Sequence, residues 1–364
     1  MTSSSSPLLL TGATGFLGGR LARQLAARGH RLRLTCREGR RSALDPLLAD
    51  LGEDAAEVVT ADLCDVASLE EAVEGCRAIV HVAARVSRSG SRADFEVANV
   101  HGLRFLLQLA GRAGVERFVY TSSFFALAPS AEGDDVGRDE TALDDDVPEL
   151  DEYQRSKRLA AGVAREAREG GTPIVTLYPG TIVGPGPLTE GNFVTGMIRD
   201  HLCGRFVGLP QGGRRTWSFV HVDDVAAAHV QALEQDTLPS PAYALGGENT
   251  GLAQLFRIVE ELTGRRPPRV AVPGWAAYCA GALEELGELL IGRPPQLLTR
   301  GAARLLQRDW ALDSSLAAAE LGYSPRSLMT TLRETLSWLV ASGQVPPGSL
   351  RDDVTGPGEE EATT

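Results

Sequence analysis

The chain has 364 residues, of which 43% are hydrophobic and 23% charged, and its formal net charge is -12 at neutral pH. A mean hydropathy of -0.09 excludes a disordered or membrane-embedded chain. The acidic balance argues against non-specific binding to nucleic acid or to an anionic membrane, and leaves room for a local basic patch. The cysteines, Cys36, Cys64, Cys76, Cys203 and Cys279, have no metal-ligand spacing and fit a reduced, cytoplasmic setting without a metal. Residues 1–7 are polar and read as a disordered N-terminus without the features of a signal peptide. No stretch reaches the about 18 uninterrupted apolar residues of a membrane span. The nearest, Val270 to Ile291, is interrupted by Glu284, Glu285 and Glu288 and reads as a helix of a substrate lobe.

In chain order, Leu8-Leu9-Leu10 predicts a strand, Thr11 to Gly18 a glycine-rich turn, and Phe16-Leu17 through Leu25 an amphipathic helix. Glycines let the backbone turn tightly and approach a ligand with no Cβ in the way. The free N–H groups of the first helical turn favour an anion, for which a dinucleotide pyrophosphate is the natural candidate. Leu32 to Arg37 predicts a second strand ending in a basic cluster of Arg37, Arg40 and Arg41, and Glu57 to Asp62 a third. A short helix over Leu69–Val73 precedes a fourth strand, Ala78 to Ala84. A helix over Asn99–Ala113 precedes a fifth strand, Arg117 to Ser122. Ala131 to Asp151 is acidic and aperiodic and reads as a surface loop; Tyr153 to Glu169 follows as a helix and Pro173 to Tyr178 as a sixth strand. Strands alternating with helices, and apolar almost throughout, predict a doubly wound parallel α/β sheet of Rossmann type over 8–180. A smaller mixed lobe would occupy 181–345, with 219–246 returning to the first domain and 346–364 forming a disordered acidic tail.

Two stretches carry chemistry. Tyr153 and Lys157 lie four residues apart, on one face of a helix. A phenol titrates near pH ~10 in isolation, and a neighbouring ammonium stabilises its phenolate. Tyr120-Thr121-Ser122-Ser123 ends the fifth strand on the carboxyl edge, where a hydroxyl can polarise a substrate carbonyl.

Taken together, Thr11-Gly12-x-x-Gly15-x-x-Gly18, Asp62-Leu63, Val82-Ala83-Ala84, Asn99-Val100-x-Gly102, Thr121-Ser122-Ser123, Tyr153-x-x-x-Lys157, Pro179-Gly180 and His221-Val222-Asp223-Asp224 resemble the extended short-chain dehydrogenase/reductase family, also called the NAD-dependent epimerase/dehydratase family. The resemblance spans about Leu8 to Leu339. It implies that Tyr153 is the general acid/base, that Lys157 tunes it and holds the nicotinamide ribose, and that Ser123 polarises the substrate. Ser122 is the less favoured serine. Asn99 would support the active-site geometry. Cofactor contacts are implied for Gly12, Thr14, Gly15, Phe16, Leu17, Gly18, Arg37, Asp62, Leu63, Val82, Ala83, Ala84, Lys157 and Pro179.

An acidic residue at the end of the second strand would accept from a ribose 2′-OH and select NAD(H). Cys36-Arg37 stands there instead, and a guanidinium suits a 2′-phosphate, so NADP(H) is favoured despite the nearby Glu38. Sugar-nucleotide members usually carry an Asn where Thr181 stands and an Arg where Trp217 aligns, although Arg214 and Arg215 are close by. Cys36-Arg37, Val80-His81-Val82-Ala83 and Tyr178 to Pro185 look like dihydroflavonol-4-reductase-like members. The expected activity is therefore reduction of a ketone, or oxidation of the matching alcohol, on a moderately apolar small molecule, with Trp275 to Ile291 helping to form its pocket. A nucleotide-sugar epimerase or dehydratase is the alternative, and a non-catalytic NADP sensor a more distant one. Relatives are commonly homodimers.

Overall fold

The computed structural model describes residues 6–52, 54–134, 136–143, 148–206, 208–292 and 298–351. The acidic run at the C-terminus and most of the polar N-terminus lie outside the described residues.

The strands and helices of the first half alternate because the apolar runs are short and each is closed by a turn or cap. They are β1 (Leu8–Thr11), α1 (Phe16–Ala27), β2 (Leu32–Cys36), α2 (Asp45–Leu51), β3 (Ala56–Thr60) and α3 (Val66–Val73). Next come β4 (Ala78–His81), α4 (Arg92–Phe95), α5 (Gly102–Ala113), β5 (Arg117–Thr121), α6 (Glu152–Glu169) and β6 (Ile174–Pro179). Asp65 caps α3 and Asp151 caps α6, each by accepting a backbone N–H of the first turn. The second half contains β7 (Thr181–Val183), α7 (Phe193–Leu202), β8 (Leu209–Pro210), β9 (Thr216–His221), α8 (Val222–Glu234) and β10 (Ala242–Leu245). It closes with β11 (Glu248–Gly251), α9 (Leu252–Thr263), β12 (Ala271–Val272), α10 (Gly274–Ile291), α11 (Arg300–Leu305), α12 (Ser315–Leu321) and α13 (Leu328–Ala341).

Among the described residues the main sheet has seven strands, in the order β3-β2-β1-β4-β5-β6-β10. All its pairings are parallel. One face is covered by α1 and α8, with Leu21, Leu25, Val225 and Val230 in the shared core. The other is covered by α3, α5 and α6 around Leu69, Leu106, Phe118 and Ala164. The lobe has its own core, in which Trp217, Trp310, Phe256 and Leu336 meet. Its sheets are small: β11-β9-β7 and β12-β8.

Several boundaries differ from the sequence reading. β4 stops at His81 rather than Ala84, because Ala83 N donates to the Thr11 side chain at 3.2 Å instead of to a strand. The helix read from Asn99 is entered through α4 and one π-helical turn, Glu96–His101. Residues 346–351, read as the start of the tail, are held to the lobe: Leu350 is buried and Arg351 N donates to Leu262 O at 3.1 Å.

Candidate active site

The order of strands reverses between β1 and β4, so their carboxyl ends open a crevice. The glycine turn lies at that point. Gly12 has φ +81°, and a Cβ there would stand 2.8 Å from Ala83 N. At Gly18 a Cβ would stand 2.1 Å from Gly12 O. The turn is closed by Gly15 N donating to Gly12 O at 2.9 Å. Both close approaches require glycine, and Gly15, the N-cap of α1, adds no side chain where a pyrophosphate would meet the helix's first N–H groups. The residues present therefore fit a dinucleotide.

One cleft of about 2210 Å³ runs from this turn into the lobe. Gly12, Thr14, Gly15, Phe16, Leu17, Gly18, Arg37, Asp62, Leu63, Val82, Ala83, Ala84, Ser123, Tyr153, Lys157 and Pro179 all line it. At the far end of β2 the lining includes Arg37 and Arg40 but neither Glu38 nor Arg41. Asp62 is held at the edge by Cys64 N, which donates to its Oδ1 at 2.9 Å.

Asn99 does not line the cleft; it stands behind it. Its Oδ1 accepts from Arg85 N at 2.7 Å, and its Nδ2 donates to Arg85 O at 3.1 Å and to Ser156 Oγ at 2.8 Å. Ser156 Oγ in turn donates to Tyr153 O at 2.8 Å. The π-helical turn thus ties the loop after β4 to the helix that carries Tyr153 and Lys157. Asn99→Ala is expected to cost about 1–3 kcal/mol, because it removes the buried bond to Ser156 and leaves the part-buried N–H and C=O of Arg85 without their side-chain partner. A denaturant midpoint checks this, and an unchanged midpoint would show that the link carries no stability.

Lys157 is buried, and its Nζ donates to Thr121 O at 3.0 Å while lying 5.3 Å from the centre of the Tyr120 ring. Burial lowers its pKa to about 7. Tyr153 is half-buried, and desolvation raises its phenol above the ordinary value, while a hydrogen bond with Ser123 acts the other way. The lowering expected from Lys157 is not found: burial dominates, the Asp151 carboxylate adds to it, and the phenol keeps its proton at neutral pH. Ser123 also caps the short helical turn that follows it, accepting from Phe125 N at 3.3 Å.

The sequence reading missed two parts of the site. Beneath Lys157, His81 stacks on Tyr120 at 5.7 Å and hydrogen-bonds Thr11 Oγ1 at 2.8 Å. Its pKa is lowered to about 3 by burial and by Lys157, so the ring is neutral. Beside Tyr153 stands an aromatic wall. Phe125 meets Tyr153 edge-on at 6.3 Å and Trp217 edge-on at 5.8 Å, and Phe193 meets Trp217 at 5.8 Å. All line the cleft. Long-range packing of this kind leaves no local pattern, so no motif could have announced it.

Trp217, which the sequence aligns with the arginine of sugar-nucleotide members, is buried and lines the cleft. Arg215 points elsewhere, donating to Asp309 at 2.8 Å and pairing with Glu132 at 3.2 Å, and Arg214 is exposed outside the cleft. Thr181, in place of the usual Asn, is buried in the cleft lining, and its Oγ1 has no partner among the described residues. The expected pocket helix is only partly that. Ala277, Ala280 and Leu289 of α10 line the cleft, but Trp275, Leu283, Leu286 and Leu290 face outward.

The sequence model of the NAD dependent epimerase/dehydratase family matches residues 8–246. The chain belongs to that family. Members of the family with reductase names are among its relatives. It is 33% identical over 341 residues to sterol demethylase protein B of Methylococcus capsulatus, covering 93% of this chain and 99% of that one. It is 32% identical to cinnamoyl-CoA reductase 1 of Oryza sativa, covering 71% of this chain and 76% of the other. The crystal structure of gox2253 superposes with a TM-score of 0.74 at 32% identity, over 94% of this chain and all of that one. The family and its reductase-named members make this chain an NAD(P)-dependent oxidoreductase with a nicotinamide dinucleotide cofactor. Among the described residues no helix is long and apolar enough to cross a membrane.

Proposed function

We propose that the protein is an NADP(H)-dependent reductase of a ketone, or dehydrogenase of the matching secondary alcohol, on a moderately apolar small molecule. The aromatic wall beside Tyr153 carries this reading. A diphosphate needs free cations, yet of the lobe's described arginines that line the cleft Arg199 and Arg205 pair with Asp200 and Arg300 with Glu285, and Arg304 lies over the Tyr278 ring and donates to its hydroxyl. Phe125, Phe193 and Trp217 offer apolar area instead. The relatives' names, a sterol-acting protein and a cinnamoyl-CoA reductase, are compatible with ring-bearing apolar substrates.

Bound in the crevice, the dinucleotide supplies or accepts the hydride. Gly12, Gly15 and Gly18 would hold its pyrophosphate, Asp62 and Leu63 its adenine, and Lys157 the nicotinamide ribose. Ser123 holds the substrate oxygen, and Tyr153 gives it a proton from the phenol. The reverse reaction returns that proton to Tyr153. Phe125 and Trp217 exclude water from the reacting face, which strengthens every hydrogen bond there. Since all five cysteines are unpaired, we place this activity in the reducing cytoplasm.

A spectrophotometric screen of NADPH and NADH oxidation against flavanone-like, steroid, β-keto and sugar-nucleotide ketones tests the reading. Oxidation with the ring-bearing apolar ketones is expected. Turnover of nucleotide sugars alone, without net NADPH oxidation, would replace it with an epimerase. For the cofactor, Arg37→Glu is expected to raise the NADPH Michaelis constant about 10- to 100-fold, the loss of a charge-assisted pair, and to spare NADH. Equal effects on both cofactors would remove the 2′-phosphate from the assignment.

A further inference from the structure

Helix α10 presents its apolar side to water. Trp275, Cys279, Leu283, Leu286 and Leu290 follow one another at three- or four-residue spacing, and all are exposed. That spacing makes one stripe along the helix. Trp275 is 73% exposed, Leu283 69% and Leu290 71%. The carboxylates that would ordinarily face water are half-buried at the flanks. Glu285 accepts from Arg300 Nε at 2.6 Å, and Glu288 lines the cleft. Scattered surface leucines are ordinary, but a contiguous stripe of this kind marks a contact face.

Two further observations say what covers it. Arg265, Arg266 and Arg269 are exposed just before α10, next to Val270, which is also exposed. Among the described residues, none of the three arginines forms an ion pair with a carboxylate. A local cation cluster on a chain of net charge -12 calls for an anionic counterpart. At the other end, Leu289, Leu290 and Ile291 are consecutive and all well exposed, so they point around the helix rather than to one side. With Leu289 at the rim of the cleft, Leu290 and Ile291 carry the outer apolar stripe to the end of the helix. Arginines for phosphates, a tryptophan for the interface and leucines for the acyl boundary are the composition of an interfacial helix.

We infer that α10 docks on a phospholipid bilayer, its outer stripe in the acyl boundary and Arg265, Arg266 and Arg269 against headgroup phosphates. The helix lies along the surface and does not cross it. Its inner side, through Ala277, Ala280 and Leu289, lines the cleft, so a single helix separates the cleft from the lipid. If the substrate is apolar, as proposed above, it reaches the cleft without a passage through water; that consequence rests on the proposed function, and the docking does not.

Flotation of the full-length protein with phosphatidylcholine vesicles, with and without phosphatidylglycerol, tests the docking. The protein is expected to float with both and more strongly with phosphatidylglycerol. Leu283→Ser with Leu290→Ser is expected to lower vesicle partition about a hundredfold, the loss of two leucines from the acyl boundary. These two side chains do not line the cleft, so the melting temperature and its rise on adding dinucleotide are expected to hold. Arg266→Glu with Arg269→Glu is expected to remove only the part that depends on phosphatidylglycerol. A full-length protein that stays in the aqueous fraction with both vesicles overturns the inference, as does a double-serine variant that floats like its parent. A dimer in light scattering that the two serines convert to a monomer also overturns it, and assigns the face to a second copy. Flotation reads lipid contact and not turnover, so the ketone screen and this experiment fail independently.

Discussion

Tyr153→Phe is expected to lower turnover about a thousandfold or more and to leave dinucleotide affinity nearly unchanged. The ring stays in place against Phe125, and only the oxygen is lost. In the proposed mechanism that oxygen passes the proton to the substrate, while Lys157 Nζ is directed to Thr121 O. Burial holds the phenol protonated, which suits it to donate during reduction. With its pKa at about 7, Lys157 is charged below neutrality and loses charge as the pH rises. The cation that the proposed mechanism sets beside the phenolate is therefore lost on the alkaline side. Steady-state turnover at saturating ketone, with a fluorescence titration of NADPH, checks the expectation. Turnover within about tenfold of the parent would place the proton on another group.

Gly18→Ala is expected to abolish measurable dinucleotide binding and to cost about 3 kcal/mol of stability. The added methyl would lie 2.1 Å from Gly12 O, a backbone atom that cannot swing aside. Relief requires α1 to move away from β1, which opens the cradle and strips contacts from Leu21 and Leu25 in the core beneath. Gly19→Ala is the matched control. Its methyl would meet nothing closer than Ala13 O at 3.4 Å. A denaturant midpoint and a dinucleotide titration on both variants decide the matter. Equal behaviour of the two would show that the close approach is not what glycine serves.

Legibility in the sequence followed the range of the interactions. The glycine turn was readable because backbone conformation and close approach are local demands, written as Gly12, Gly15 and Gly18 within seven residues. The strands of the main sheet were readable because, covered on both faces, most have little choice but apolar residues. Their ends were less so. Val82-Ala83-Ala84 is as apolar as a strand, and only a side-chain contact from Thr11, far away in sequence, ends β4 before it. Asn99 was named for the right neighbourhood, but the π-helical turn that aims it has no compositional mark. Trp217 was noticed for what it was not. Its packing with Phe125 and Phe193 joins three separate stretches of chain and became visible only in the fold. The charge of Arg215 was legible, its direction was not, because Asp309 lies 94 residues away.

The seventh strand of the main sheet has a consequence for the order of folding. β10 pairs with β6 only after α7, β9 and α8 have been made, so the sheet cannot be completed while its first six strands leave the ribosome. Until Ala242–Leu245 arrives, β6 presents an unpaired edge rich in Ile, Val and Leu, the kind of surface that recruits other chains. The late closure also brings α8 down onto α1, so the nucleotide crevice and the far edge of the sheet are finished by the same segment. Synthesis from Pro179 to Leu245 is thus the interval most exposed to aggregation, and the chain's non-local pairing slows its escape from it.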